Sequence, residues 1–304
     1  MPYVLFLLIC SIWGSSFILM KKAVVCFSPA SVGLVRVAGG ALVLGWMWWR
    51  QSRPWPFGWR DAGPLLVVVL LGFAWPFTMQ PYLVAREGSA FVGLSVGFTP
   101  LLTIIASIPL LGVYPTPRQL VGVLGALVCM GLLMVDSWQR EIPIPHLLLA
   151  VTVPLGYALT NTTIRRSLLH LPVLELTGLS QLLAIMVLLP IAALGPTVVD
   201  AKAEDFPRAL YALAFLGVIG TGLASLWFNQ LIRDHGPLFA GMVTNLVPVG
   251  ALLWGWADRE RISPAQVGAL TGLLAMVSLV QYGAAVRPAP GETPAEPARA
   301  HEET

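Results

Sequence analysis

Pro100 and Pro248 each interrupt a long apolar run, Pro100 following Ser95 and Thr99, Pro248 following Thr244 and Asn245. A proline costs about 3 kcal/mol in an ordinary helix interior, and the carbonyl it frees meets no water in lipid. Breaks at corresponding places in two halves of a chain point to a midplane site for a small polar solute; a packing kink is the other reading. More polar and aromatic side chains recur inside apolar runs. They are Trp13, Ser15 and Ser16; Trp75, Thr78 and Gln80; Tyr157, Thr160 and Asn161; and Thr221, Ser225, Trp227 and Asn229. Flat rings beside a few directed hydrogen-bonding groups are what a small-molecule pocket needs, although Ser, Thr, Asn and Gln also serve as glue between membrane helices. Two charges fall well inside such runs, Arg36 and Glu175. A central charge costs about 2.5–3.5 kcal/mol to insert, so Arg36 faces protein or water. It anchors a substrate carboxylate or binds carbonyls near the interface. Glu175 opens its run, where a carboxylate complements a helix N-terminus.

Other chemistry is poorly supported. No Ser/His/Asp set, acidic pair or His cluster lies deep in the runs, which argues against an intramembrane enzyme. Cys10, Cys26 and Cys129 are odd in number and widely spaced, and His146, His170, His235 and His301 are scattered, so neither disulfides, nor a metal, nor a cofactor is expected. The net charge of +3 is too small and too dispersed for a nucleic-acid partner.

The elements that must position these residues are membrane spans. Apolar side chains make up 57% and charged ones 11% of the 304 residues, with mean hydropathy +0.78, against about 45–50% and 25% in soluble domains. Runs of about 20 residues, the length that crosses a bilayer core, recur with short breaks. They predict an all-α integral membrane fold of about ten helices: 3–20, 30–49, 64–84, 89–111, 120–135, 146–164, 173–194, 209–232, 238–257 and 265–282.

The chain also repeats itself. Aligning Pro100 with Pro248 matches Gly93 with Gly241; after one deletion, Thr116, Pro117 and Gln119 match Ser263, Pro264 and Gln266, and Gly125 matches Gly272. Thr116 and Ser263 read as N-caps with proline at the first helical position. Gly93-x-x-x-Gly97 and Gly268-x-x-x-Gly272 read as close-packing stripes. Five helices per half is an odd number, so the copies, placed at residues 1–137 and 143–285, lie inverted in the membrane, the plan of secondary transporters. Residues 287–304 are rich in Pro and Glu and should be disordered.

Trp13-Gly14-Ser15-Ser16-Phe17 followed by Lys21, Ser28-Pro29 followed by Arg36, the prolines of the fourth and ninth spans, and Glu260-Arg261-Ile262-Ser263-Pro264-Ala265-Gln266 together resemble the EamA family of the drug/metabolite transporter superfamily. The likeness runs from the first span to Tyr282. The first half departs from the pattern at Val113, which stands where the second has Glu260; Glu260 is therefore read as mainly structural. The resemblance implies a carrier, not an enzyme, of the bacterial inner membrane, with both termini cytoplasmic, exporting a small metabolite such as an amino acid by alternating access. Its partners are that solute and the bilayer. Basic residues do not choose the orientation, because eight Lys or Arg fall on each side of the membrane. A four-helix multidrug pump is disfavoured, since such pumps depend on a buried Glu in the first span and this span has none. A purely structural membrane protein leaves the repeat unexplained.

Because the tail lacks the apolar residues to join a core, truncation after Arg287 is expected to leave expression and transport unchanged. Lost transport in vesicles from the truncated chain would contradict this.

Overall fold

The computed structural model describes residues 2–51, 56–112, 114, 116–139, 141–199 and 202–281; the side chains of residues 2, 133–139, 229–230, 232–242, 244–245 and 280–281 are outside the described set. The tail lies outside the described residues.

Helices account for all ten expected spans: α1 Pro2–Ala23, α2 Pro29–Gln51, α3 Trp59–Glu87, α4 Ser89–Leu111, α5 Pro117–Gln139, α6 Ile144–Leu168, α7 Val173–Ala193, α8 Phe206–Phe228, α9 Leu246–Ala257 and α10 Pro264–Gln281. Among the described residues, seven helices are by themselves long and apolar enough to cross a membrane. Helical hydrogen bonding continues through Ala224–Ala257, yet α8 and α9 are separate spans. Trp13 of α1 bonds Gly220, while its neighbour Gly14 is so close to Gly250 that an added Cβ would lie 2.9 Å from the Gly250 Cα. Thirty residues of straight helix would hold those two glycines about 45 Å apart. The chain therefore doubles back between Leu231 and Val243, which join one apolar cluster with Phe6, Ile9 and Cys10.

The packing partners reproduce the duplication. α1 packs on α8 and α9 of the other half, α6 packs on α3 and α4, and α2 and α5 pair with their counterparts α7 and α10. In the last pair the contacts are reciprocal: Gly125 receives Met276 and Gly272 receives Cys129. Gly268 meets nothing within 4 Å, so the second small-residue stripe packs through Gly272 alone. In the first stripe, Cβ atoms added at Gly93 and Gly97 would stand 2.2 Å from Ala251 and 2.6 Å from Pro248 of α9. The caps are full boxes. The Thr116 and Ser263 amides donate to the Gln119 and Gln266 side chains, and the Gln119 and Gln266 amides donate back to the hydroxyls.

The paired proline breaks need correcting. α4 is interrupted at Gly97–Phe98 and resumes at Thr99, with Pro100 in its first turn, where a missing N–H costs nothing. α9 runs through Pro248 without a break. The irregularities that are equivalent lie elsewhere: α3 and α8 widen into π-helix at Val68–Ala74 and Leu216–Leu223, segments that the same 148-residue offset superposes. Residues of these types in apolar runs carry no π signature, so periodicity could not reveal them.

One face of the bundle is tied shut. Gly88, at φ +89°, lets α4 begin at Ser89 directly after α3. The Glu260 carboxylate accepts from the Ser89 amide at 3.0 Å, the Ser89 hydroxyl at 2.9 Å, the Ala90 amide at 3.0 Å and Lys21 Nζ at 2.8 Å. Asp258 holds Lys21 at 2.7 Å and also pairs with Lys22. On the other side of Gly88, Glu87 pairs with His146 of α6. Glu260 thus caps α4 and ties α1 to the α9–α10 connection. Burial alone would raise the Asp258 and Glu260 carboxyls, but the hydrogen bonds from the lysines, and for Glu260 also from Ala90 and Ser89, hold both below their ordinary range. Groups with depressed folded values contribute stability that is complete above their unfolded pKa and lost as pH falls through the folded one.

Glu260→Ala, which orphans two amides at a helix start, should therefore cost about 1–3 kcal/mol, read as a lower melting temperature in detergent at pH 7. The difference should shrink below about pH 4, where the parent carboxylate also loses its charge. An unchanged melting temperature at neutral pH would refute the capping role.

Candidate functional site

Arg36 stands on α2 and is 6% exposed. Its chemistry is set by three neighbouring helices. Nη1 donates to the Met20 sulfur of α1 at 3.0 Å, the guanidinium carbon lies 4.6 Å from the centre of the Phe77 ring of α3, and Tyr157 of α6 is within electrostatic reach. A thioether is a weak acceptor, and an aromatic face returns about 2 kcal/mol at best. Nε has no hydrogen-bond partner, and among the described residues no carboxylate pairs with Arg36. A buried guanidinium so placed lacks the anion that would offset its desolvation.

The surroundings supply further polar atoms. Gln80 of α3 donates to the Tyr157 hydroxyl at 3.0 Å, joining the halves beside the arginine. One turn along α2 from Arg36, a Cβ added at Gly40 would lie 2.3 Å from Oε1 of Gln181 on α7 and 2.9 Å from Thr221 on α8. Gln181 is fully buried, and neither its Oε1 nor its Nε2 has a partner. In the π segment of α3, Gly72 receives Thr160 of α6, whose hydroxyl is also unpartnered; in that of α8, Gly220 faces Ser16 of α1. Each π segment thus meets a hydroxyl from the first helix of the other half. The wide turn of α8 also lets the Thr221 hydroxyl donate to the Leu216 carbonyl five residues back, at 2.9 Å.

The residues named from sequence fall into separate groups. Arg36, Gln80 and Tyr157 come together, and Trp13 and Ser16 sit on the adjoining π segment of α8. There Trp13 Nε1 donates to the Gly220 carbonyl at 3.0 Å with its ring 4.9 Å from Phe228, while Ser16 bonds its own helix at Ile12. Trp227 is half-buried beside that cluster. Ser95, Thr99, Pro100 and Pro248 belong to the α4–α9 side, with Ser95 and Thr99 donating locally to the Val92 and Val96 carbonyls. Trp75 is 37% exposed and donates to Thr152, and Asn161 is exposed on α6, so neither joins the buried group. The side chains of Thr244 and Asn245 are outside the described residues. Sequence reasoning missed Gln181, Met20 and Phe77. A lone amide midway through α7 was a signal for Gln181; an apolar residue in an apolar span gives none.

The EamA-like transporter family matches this chain twice, over residues 1–135 and 144–281. A solved crystal structure whose title names no function is similar over 94% of this chain and 99% of its own, with TM-score 0.64 and 17% identity, a likeness of fold alone. No curated protein matches the chain.

Proposed function

This chain belongs to the EamA-like transporter family, a membrane carrier family of the drug/metabolite transporter superfamily, and on that premise we propose that it exports a small metabolite bearing a carboxylate, such as an amino acid, by alternating access. The observation that carries the reading is Arg36, a buried cation whose described partners are a sulfur and an aromatic ring. A substrate carboxylate would complete it with bidentate, charge-assisted hydrogen bonds. Gln80, Tyr157 and Gln181 would hold the polar remainder, and Trp13 and Ser16 would flank the path. Amide and hydroxyl groups around a single guanidinium suit an amino acid better than a sugar phosphate, which would call for several basic side chains at depth. The carrier resides in the bacterial inner membrane with both termini cytoplasmic, so that the Lys21 and Glu260 face lies outside.

In proteoliposomes, Arg36→Gln should lower transport of carboxylate-bearing substrates more than tenfold, since truncating one partner of a buried charge pair costs about 2–5 kcal/mol. Expression and melting temperature should stay near the parent values. Transport that survives the substitution would remove the anion anchor; loss of folding in step with transport would leave Arg36 a structural residue.

A further inference from the structure

The two faces of the bundle carry the same basic pair but not the same acids. The 144-residue offset that brings Ser16 onto Thr160, and the start of α2 onto the start of α7, places Lys21-Lys22 on Arg165-Arg166. Lys21 and Lys22 are bound by Asp258 and Glu260. The residues equivalent to Asp258 and Glu260 in the first half are Leu111 and Val113. The amides that Glu260 caps, those of Ser89 and Ala90, correspond to Pro237 and Leu238, and Pro237 has no N–H to give. The counterpart arrangement thus lacks its acids, which the first half does not supply, and one of its two amide donors, which the second half does not supply. Arg165 and Arg166 are accordingly exposed, with no ion pair among the described residues. A cleft opens on that face, lined by Pro56, Trp59, Arg60 and Asp61 from one half and Ser167 and His170 from the other. Beside apolar packing of Leu65 with Leu168 and Leu171 in one cluster, one cross-half polar contact is described there, His170 to Asp61 at 3.2 Å, with the histidine 57% exposed.

We propose that Asp258 and Glu260 form a one-sided lock with Lys21 and Lys22, so that the carrier rests closed on the Lys21 face and open on the Arg165 face, loads substrate from the latter, and releases it only when the lock parts. This rests on the transport reading above and adds which gate controls direction. The lock also lies next to the site. Met20, the residue whose sulfur touches Arg36, is fully buried and directly precedes Lys21 in the last turn of α1. When Lys21 lets go, that turn is free to move, and it carries Met20 off the guanidinium.

The test reads gating without substrate, so its failure and that of the Arg36 assignment are distinguishable. Met20→Cys is placed in a chain with Cys10, Cys26 and Cys129 replaced by Ala, and its labelling rate by a membrane-impermeant thiol reagent is measured in vesicles of each orientation. Lys21→Met with Lys22→Met removes the cations while leaving the Glu260 cap on α4 intact, and should speed labelling from the Lys21 face by about tenfold or more, the change that a modest shift between two gate states produces. Val113→Glu, which supplies the missing acid at the position that the repeat aligns with Glu260, should slow labelling from the Arg165 face. Equal labelling from both faces of the parent, or rates unmoved in both variants, overturns the lock.

Discussion

Close contact between helix backbones is the condition on which the other features rest. Lipid gives apolar helices no hydrophobic reason to associate, so packing has to come from surfaces that approach closely, and glycine permits this. α2 is held in that way on two sides. A Cβ added at Gly33 would stand 2.2 Å from the Phe77 carbonyl oxygen, and one at Gly39 would stand 2.7 Å from the Gly217 Cα. Gly33 and Gly39 bracket Arg36, so the helix carrying the charge is pressed against α3 and α8 immediately on either side of it. The arginine has no route to solvent through those contacts. Its described neighbours are Met20, Phe77 and Tyr157.

That confinement explains why the polar groups near Arg36 remain incompletely bonded. In a membrane interior a protein normally satisfies amides and hydroxyls locally, as Ser95, Thr99, Ser180 and Thr162 do by donating to carbonyls of their own helices. Gln181 and Thr160 do not, and both lie where a glycine of a neighbouring helix receives them. Buried polar atoms without partners carry a penalty, and their concentration around one unpaired cation is the arrangement expected when the missing partners arrive with a ligand. The π segments serve the same region, since each brings a glycine under a hydroxyl from the opposite half and α8 offers the Gly220 carbonyl to Trp13.

The sequence carried the architecture well because membrane physics is simple. Span length, composition and an odd-numbered repeat were enough for ten helices in two inverted halves, and Thr116 and Ser263 marked helix starts through cap chemistry that is local. The site was only partly legible. Arg36, Gln80 and Tyr157 announced themselves as costly residues in apolar runs, whereas Trp75 and Asn161 looked equivalent on paper and turned out exposed. With ten spans, which face of a helix points inward depends on the neighbours it meets, and those neighbours are hundreds of residues away, as the 207-residue separation of Trp13 and Gly220 shows. The paired prolines misled for a related reason. Proline marks a break only when it sits in a helix interior, and Gly97 ended the helix before Pro100 was reached.

A perfect inverted repeat would leave a carrier with no preferred direction, because its two open states would be mirror copies of equal energy. Preference has to come from positions at which the copies differ. Arg36 is one of these: its counterpart on α7 is Ser180, fully buried and bonded to the Leu176 carbonyl of its own helix. The cation therefore belongs to one half and lies near one face, under Met20 and Lys21. Asp258 and Glu260 differ from their counterparts as well, and they close that same face. These two departures from symmetry in charge fall at one end of the bundle, the anion-seeking group beneath and the closure above. A solute carboxylate bound at Arg36 would neutralise the cation that lies just beneath the Lys21 cluster. Occupancy of the site and release of the gate would then be linked through α1, whose last turn carries both Met20 on the guanidinium and Lys21 in the closure.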